Sequence, residues 1–210
     1  MIRVLIADDH AIVRHGLKQI IEESGEMHVV AEADSGSAAL RKLRETECDA
    51  VLLDISMPDM SGIDVLKLIH AEKPHLPILI LSIYPVDQYA MRLIKAGAAG
   101  YMTKESAPSE VVQALLRVAS GKKYISPAVA EILANEIGAN EAKLPHQILS
   151  DREYQIFLLL ASAQTVSEIA DTLSLSVKTV STYRRRILEK MHLSNNAELM
   201  RYAVDKQLSQ

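Results

Sequence analysis

From residue 2 to about 119, short runs of consecutive apolar residues alternate with longer segments whose apolar positions recur every three or four residues. The runs Ile2 to Ala7, Met27 to Ala33, Ala50 to Asp54, Pro77 to Ser82 and Gly100 to Met102 are too short for buried helices. Being mostly apolar on successive positions, they predict parallel strands covered on both faces. The intervening segments, near residues 11–23, 36–46, 62–72, 87–96 and 108–119, carry the amphipathic period of helices. Five βα repeats with right-handed crossovers predict an α/β fold, a five-stranded doubly wound parallel sheet of order 2-1-3-4-5.

After Ser120-Gly121 the strand pattern stops and everything that follows reads as helix. Ser126-Pro127 is an N-cap followed by proline at the first helical position, opening a helix to about residue 137. Gly138, Asn140 and Pro145 then mark a linker. Further on, Ser150 with Glu153 forms a capping box, with Leu149 and Tyr154 placed as a hydrophobic staple, for a helix from about Asp151 to Ser162. Thr165 with Glu168 repeats the box for a short helix ending near Leu173. Ser176 caps a third helix, Val177 to about His192, and Asn195 a fourth. The division expected is a first domain over 1–120, a linker over 121–148 that includes the helix near 127–137, and an all-α four-helix domain over 149–210.

Composition supports a packed chain, at 49% hydrophobic and 24% charged residues. The lone Cys48 has no internal disulfide partner, which fits a reducing compartment. No apolar run approaches membrane-spanning length and the N-terminus lacks a signal-peptide core, so the expected location is the cytoplasm. A net charge of -4 argues against nucleic acid only if it is evenly spread. It is not: Lys and Arg number 15 against 20 Asp and Glu over residues 1–145, but 8 against 7 over residues 146–210. Lys178, Arg184, Arg185, Arg186 and Lys190 gather in one short stretch, a local basic face.

In an open α/β sheet, ligands bind beyond the C-terminal strand ends where the strand order reverses. Asp8 and Asp9 follow the first strand there and Asp54 ends the third. Three converging carboxylates require a cation, and an all-oxygen cluster suits Mg²⁺. Ser82 after the fourth strand adds a hydroxyl, and Lys104 after the fifth adds an ammonium. A carboxylate nucleophile, a hard metal, a hydroxyl and a lysine together describe phosphoryl transfer onto aspartate. Taken singly, each residue has a plainer explanation: helix capping for Asp8 and Asp9, an Asx turn for Asp54, a solvated charge for Lys104, a loop position for Ser82. Their joint placement on successive strand ends favours the chemical one.

Asp8-Asp9, LLDISMPDMSG around Asp54, LSIY around Ser82 and GYMTK ending at Lys104 together resemble the receiver domains of two-component response regulators, over residues 1 to about 120. The resemblance implies Asp54 as phosphoacceptor and Lys104 and Ser82 as its catalytic partners. It further implies Asp9 and Asp54 as direct Mg²⁺ ligands, Asp8 through water, and the main-chain carbonyl of Ser56 completing the set. Ser82 and Tyr101 become the switch pair. Glu105 departs from the family, which often has proline after the lysine. Tyr84 is bulky and two positions beyond Ser82, which suggests a cover that slows loss of the phosphoryl group.

In the third C-terminal helix Val177, Val180, Tyr183, Ile187 and Met191 recur at helical spacing, leaving Lys178, Thr179, Ser181, Thr182, Arg185 and Arg186 on the opposite face. Hydroxyls mixed with cations suit base edges and phosphates, and the preceding helix, with Ile169, Ala170 and Leu173, completes a helix-turn-helix. A charge run is more often a solvated face. The longer segment, LSDREYQIFLLLA, EIADTLSLSVKTVSTY and ILEKMHLSNNAEL, resembles the DNA-binding domain of LuxR/NarL-class regulators. That resemblance implies Lys178, Thr179, Ser181, Thr182 and Arg185 at or near DNA, and the polar helix face adds Arg186. Ser167, Ser181 and Asn196 stand where the class has Lys, Lys and Arg, which removes phosphate contacts. Ala163 stands at a frequent glycine, so that helix end is expected to differ locally.

The function expected is a DNA-binding transcriptional regulator, not an enzyme beyond its own phosphorylation and slow dephosphorylation. A sensor histidine kinase supplies the phosphoryl group and a homodimer forms on the DNA major groove, with RNA polymerase a further partner to consider. The alternative is a helix-turn-helix regulator whose receiver acts through protein contacts without phosphorylation. A flavoprotein is disfavoured because an acidic pocket repels a bound phosphate. An Asp-nucleophile phosphatase lacks an identifiable acid for the leaving group.

Overall fold

The computed structural model describes residues 1–57, 59–106, 108–138, 144–206 and 208. It divides into two compact units, Met1–Gly138 and Ala139–Gln210.

The first unit carries a five-stranded sheet of order β2-β1-β3-β4-β5. Its strands are β1 (Ile2–Ala7), β2 (Met27–Ala33), β3 (Ala50–Asp54), β4 (Ile78–Ser82) and β5 (Gly100–Thr103). All four pairings are parallel. The connecting helices are α1 (Ala11–Glu23), α2 (Gly36–Glu45), α3 (Gly62–Glu72), α4 (Val86–Lys95) and α5 (Pro108–Ala119). β3 and β4 are buried along their whole length because both sheet faces are covered. On one face Val4, Ile6, Leu52, Leu79 and Leu81 pack with Leu17 and Ile21 of α1 and Val111, Leu115 and Val118 of α5. The alternate residues Leu5, Val51, Leu53 and Ile80 are equally buried, as are Leu66 of α3 and Leu93 of α4. Each such side chain contributes about 1.5–3 kcal/mol by leaving water.

A further helix, α6 (Pro127–Gly138), starts where Ser126 accepts a hydrogen bond from the Val129 amide at 3.3 Å. It does not lie free. Tyr124 bridges to the edge strand at Gly100, α6 packs on α4, and Val129 is buried. The sequence reading placed this helix in the linker, whereas the first compact unit includes it. The reason is that its apolar residues find a seat on α4. Residues 139–143 of the expected linker, Asn140 among them, lie outside the described residues.

The second unit holds a short 3-10 turn at Pro145–Ile148, then α7 (Asp151–Ala161), α8 (Val166–Thr172), α9 (Val177–Met191) and α10 (Asn196–Asp205). Each helix begins at the expected cap. Ser150 with Glu153 and Thr165 with Glu168 form full capping boxes, and Ser176 and Asn195 accept from the amides of Thr179 and Glu198. α7 is the central post, buried from Glu153 to Ala161 and packed against α8, α9 and α10. Its buried Glu153 meets Lys190 of α9 at 2.6 Å, fixing the last turn of α9 to the first turn of α7. Burial disfavours the Glu153 charge, but Lys190 and the Ser150 cap outweigh it and hold the carboxyl below its usual range.

Candidate functional site

The strand ends bring the acidic residues together. Asp8 and Asp54 are buried at 2% and 1% exposure, and ligand atoms of Asp8, Asp9, His10 and Asp54 all lie within 4.8 Å of one another. Lys104, delivered by the turn after β5, reaches across the sheet to both carboxylates. Its Nζ lies 2.6 Å from Asp8 Oδ2 and 2.7 Å from Asp54 Oδ2. The other oxygen of Asp54 accepts the Ser56 amide at 3.0 Å, and the other oxygen of Asp8 accepts the His10 amide at 2.8 Å. Asp8 and Asp9 do not cap α1, whose N-cap is His10 with no side-chain bond.

Electrostatics follow from this burial. Desolvation pushes the Asp54 carboxyl above its ordinary value, and the Lys104 contacts oppose the rise without cancelling it. Burial works against the Lys104 charge, yet Asp54 and Asp8 together raise its pKa. Three carboxylates against one lysine leave an excess of two negative charges, which a divalent cation matches. Asp8 Oδ2 and Asp9 Oδ1 are closed to solvent, and each pairs with one neighbouring nitrogen, which leaves a lone pair on each oxygen for a further partner. That nitrogen is the Lys104 ammonium for Asp8 and the His10 ring nitrogen, 2.6 Å away, for Asp9. Hard, underused oxygen donors in this number fit Mg²⁺.

Ser82 is fully buried, its Oγ accepting the Tyr84 amide at 3.1 Å. Tyr101 is also fully buried and donates its hydroxyl to the Tyr84 carbonyl at 2.7 Å. Burial raises its phenol pKa strongly, so it remains a donor. The Tyr84 ring packs on Tyr89, with centroids 4.9 Å apart. Its phenol is raised by burial, with Ser56 pulling against the rise and the Asp54 charge adding to it. Tyr84 therefore feels the charge of Asp54.

Three residues near this pocket escaped the sequence reading. His10 adds its ring to the acidic cluster. Arg14 on α1 donates to the Asp8 carbonyl at 2.6 Å. Asp59, beyond β3, binds amides of α2. The adjacency of His10 to Asp8-Asp9 was a visible signal, whereas Arg14 and Asp59, the latter inside the stretch LLDISMPDMSG, act through backbone groups that the sequence does not reveal.

In the second unit, Lys178, Ser181, Arg185 and Arg186 are exposed on α9, with Thr179 and Thr182 half-buried among them. Lys178, Thr179, Thr182, Tyr183 and Arg186 line a shallow cleft of about 310 Å³. Tyr183 thus belongs partly to the polar side, and Val177 is 51% exposed; the expected apolar face is narrower, made of Val180, Ile187, Leu188 and Met191. The hydroxyls are already oriented: Thr182 donates to the Lys178 carbonyl at 2.9 Å and Thr179 pairs with Ser176 at 2.7 Å. Arg184 points elsewhere, its Nε donating to Asn196 Oδ1 at 2.6 Å, so Asn196 joins α9 to α10.

The turn between α8 and α9 is Ser174-Leu175-Ser176, with Ser174 at φ +50°. It returns amides to the α8 carbonyls of Ala170 and Asp171. α7 ends the same way: Ala163 sits at φ +63°, and the amides of Ala163 and Gln164 return to Leu160 and Leu159. The expected local change at Ala163 does not occur. Alanine takes the left-handed position and bears its strain.

Comparison with known proteins agrees with both halves. Residues 4–116 match the response regulator receiver domain, and residues 147–203 match the bacterial regulatory proteins of the luxR family. The response regulator GacA of Pseudomonas viridiflava is 41% identical over 205 residues, covering 97% of this chain and 96% of that protein. UvrY of Escherichia coli K12 is 37% identical over 205 residues, covering 97% and 94%. Among solved structures, RcsB from Salmonella enterica serovar Typhimurium bound to promoter rprA with phosphomimetic BeF3- superposes with a TM-score of 0.67. It is 26% identical, covering 96% of this chain and 97% of that one. A buried carboxylate pocket at the switch point of a 2-1-3-4-5 sheet, followed by a helix-turn-helix and matched along nearly the whole chain, places this protein among the LuxR-class response regulators, DNA-binding regulators of transcription.

Proposed function

We propose that Asp54 accepts a phosphoryl group from a sensor histidine kinase and that this event controls DNA binding by α9. The observation that carries the reading is Lys104 Nζ bridging Asp8 and Asp54 beside carboxylate oxygens with spare lone pairs. An oxygen of Asp54 attacks phosphorus, the bond to the donor breaks, and the leaving imidazole keeps its electron pair. Lys104, free to exchange a carboxylate for a phosphoryl oxygen, stabilises the charge on the transferred group. Ser82 turns its hydroxyl to the same group, giving up the Tyr84 amide, and the buried Tyr101 fills the space behind it. Asp8, Asp9, Asp54 and the Ser56 carbonyl would hold Mg²⁺, which when bound supplies charge neutralisation at the phosphoryl oxygens. The chain thereby catalyses its own phosphorylation and slow dephosphorylation.

Lys178, Thr179, Ser181, Thr182, Arg185 and Arg186 present hydroxyls and cations to the major groove, and phosphorylation shifts the population toward a dimer that binds two half-sites. A bacterial cytoplasm suits these partners. Among the described residues no helix is long and apolar enough to cross a membrane. The test is incubation with Mg²⁺ and acetyl phosphate, followed by intact mass and DNA affinity of wild type beside Asp54→Ala. One phosphoryl adduct and tighter DNA binding are expected for wild type alone. Failure of wild type to gain the adduct would favour regulation through protein contacts instead.

A further inference from the structure

β3 ends at Asp54, and the chain resumes as α3 at Gly62. The base of the loop between them is closed by the Gly62 amide on the Ile55 carbonyl at 3.1 Å. There is no slack at that closure: a Cβ on Gly62 would lie 2.4 Å from the Asp54 carbonyl oxygen and 2.4 Å from the Ile55 Cα. The tip is fastened to a different element. Asp59 Oδ1 accepts the Gly36 amide at 2.8 Å and the Met60 amide at 2.8 Å, while Asp59 Oδ2 accepts the Ser37 amide at 2.9 Å.

Gly36 and Ser37 are the first two residues of α2, whose third amide, Ala38, is taken by the N-cap Ser35. Asp59 therefore completes the cap of a helix that starts 23 residues earlier in the chain. The approach is close, since a Cβ on Gly36 would sit 2.7 Å from Val65 Cγ2 and 2.9 Å from Met60 Cβ. A carboxylate suits this place because both its oxygens accept, and all three groups facing it donate.

We infer that Asp59 is a positioning residue for the metal site: by pinning the tip of this loop to α2, it fixes the main chain at Ser56 in the orientation that a divalent cation requires. The inference rests on the Mg²⁺-dependent reading of the pocket. Ser56 lies between two fixed points, its own amide held by Asp54 Oδ1 and the loop beyond it held by Asp59. A main-chain carbonyl ligand cannot change rotamer, so its aim is set entirely by the path of the loop. Groups that orient a ligand without touching the metal commonly govern affinity as strongly as weak ligands do.

Mg²⁺ binding to the full chain is measured by titration calorimetry, independently of phosphorylation, for wild type, Asp59→Ala and Asp59→Asn. The Ala variant is expected to weaken Mg²⁺ roughly tenfold. The rate of phosphorylation by acetyl phosphate should fall at limiting Mg²⁺ and recover to within about twofold at saturation, the signature of altered affinity with the reacting groups intact. Asn keeps an acceptor for Gly36 and Met60 but turns a donor toward Ser37, and should fall between. If Asp59→Ala melts below the assay temperature, the wild-type and Asn comparison carries the test. Equal Mg²⁺ affinity in folded variants and wild type overturns the inference while leaving the phosphorylation reading intact. Absence of Mg²⁺ binding by wild type overturns that reading and this one with it.

Discussion

Asp54 concentrates a conflict between burial and charge. Its carboxyl is raised above the ordinary range by desolvation despite Lys104. A raised folded-state pKa means that the folded protein holds the proton more tightly than the unfolded chain. The stability so gained is full below the unfolded carboxylate value, about 4, and is lost as pH rises through the folded value. Above that unfolded value, without divalent metal, Asp54 is then a cost to folding. Asp54→Asn should melt higher than wild type at pH 7 in metal-free buffer, with the gap closing below about pH 4. Saturating Mg²⁺ should narrow it from the other side by stabilising wild type. An Asn variant that melts lower at pH 7 would contradict this account. Tyr84 raises a kinetic question at the same scale. If its ring screens the phosphoryl group from water, Tyr84→Ala should shorten the half-life of the phosphorylated protein about fivefold, equivalent to ~1 kcal/mol of barrier. An unchanged half-life would remove the cover.

Among the elements, those whose signals are local were the most legible. Ser150 with Glu153 and Thr165 with Glu168 announce helix starts because a capping box closes within four residues, and the structure forms both boxes. The strand ends were legible for a similar reason, since consecutive apolar runs stop at the charged residues that line the pocket. What was hidden depends on distant packing. Nothing near Val129 reveals that α4 offers a seat for it, and nothing near Asp59 reveals the amides of Gly36 and Ser37. Lys104 could be placed at a strand end, but its bridge between Asp8 and Asp54 needed the sheet to close. The end of α7 shows a local rule overruled: no glycine occurs after Gly138, and Ala163 nevertheless takes a left-handed conformation. Ala163→Gly should raise the stability of the second unit by about 1 kcal/mol, read as a shift of its denaturant midpoint with DNA affinity unchanged.

For the whole molecule, the net charge of -4 is carried by the first part of the chain, while residues 146–210 are close to neutral with most of their cations gathered on α9. DNA affinity should depend on the exposed cations of α9 through the counterions they release. Removing one phosphate contact with Arg186→Ala should lower the slope of log affinity against log salt by about one. Restoring a cation with Ser181→Lys should steepen the slope by about one. Affinity measured on one operator over a series of salt concentrations checks both. A common slope for all three proteins would show that neither side chain lies near a phosphate.

The seat of α6 on α4 has a practical meaning for dissecting this chain. A fragment cut at residue 120, where the strand pattern ends, would discard Tyr124 from the sheet edge and uncover the apolar surface that Val129 fills. Such a piece would carry an intact pocket and an adhesive flank, and self-association of the fragment would be an artefact of the cut. The natural place to sever the chain lies after Gly138, where the first unit has finished covering itself.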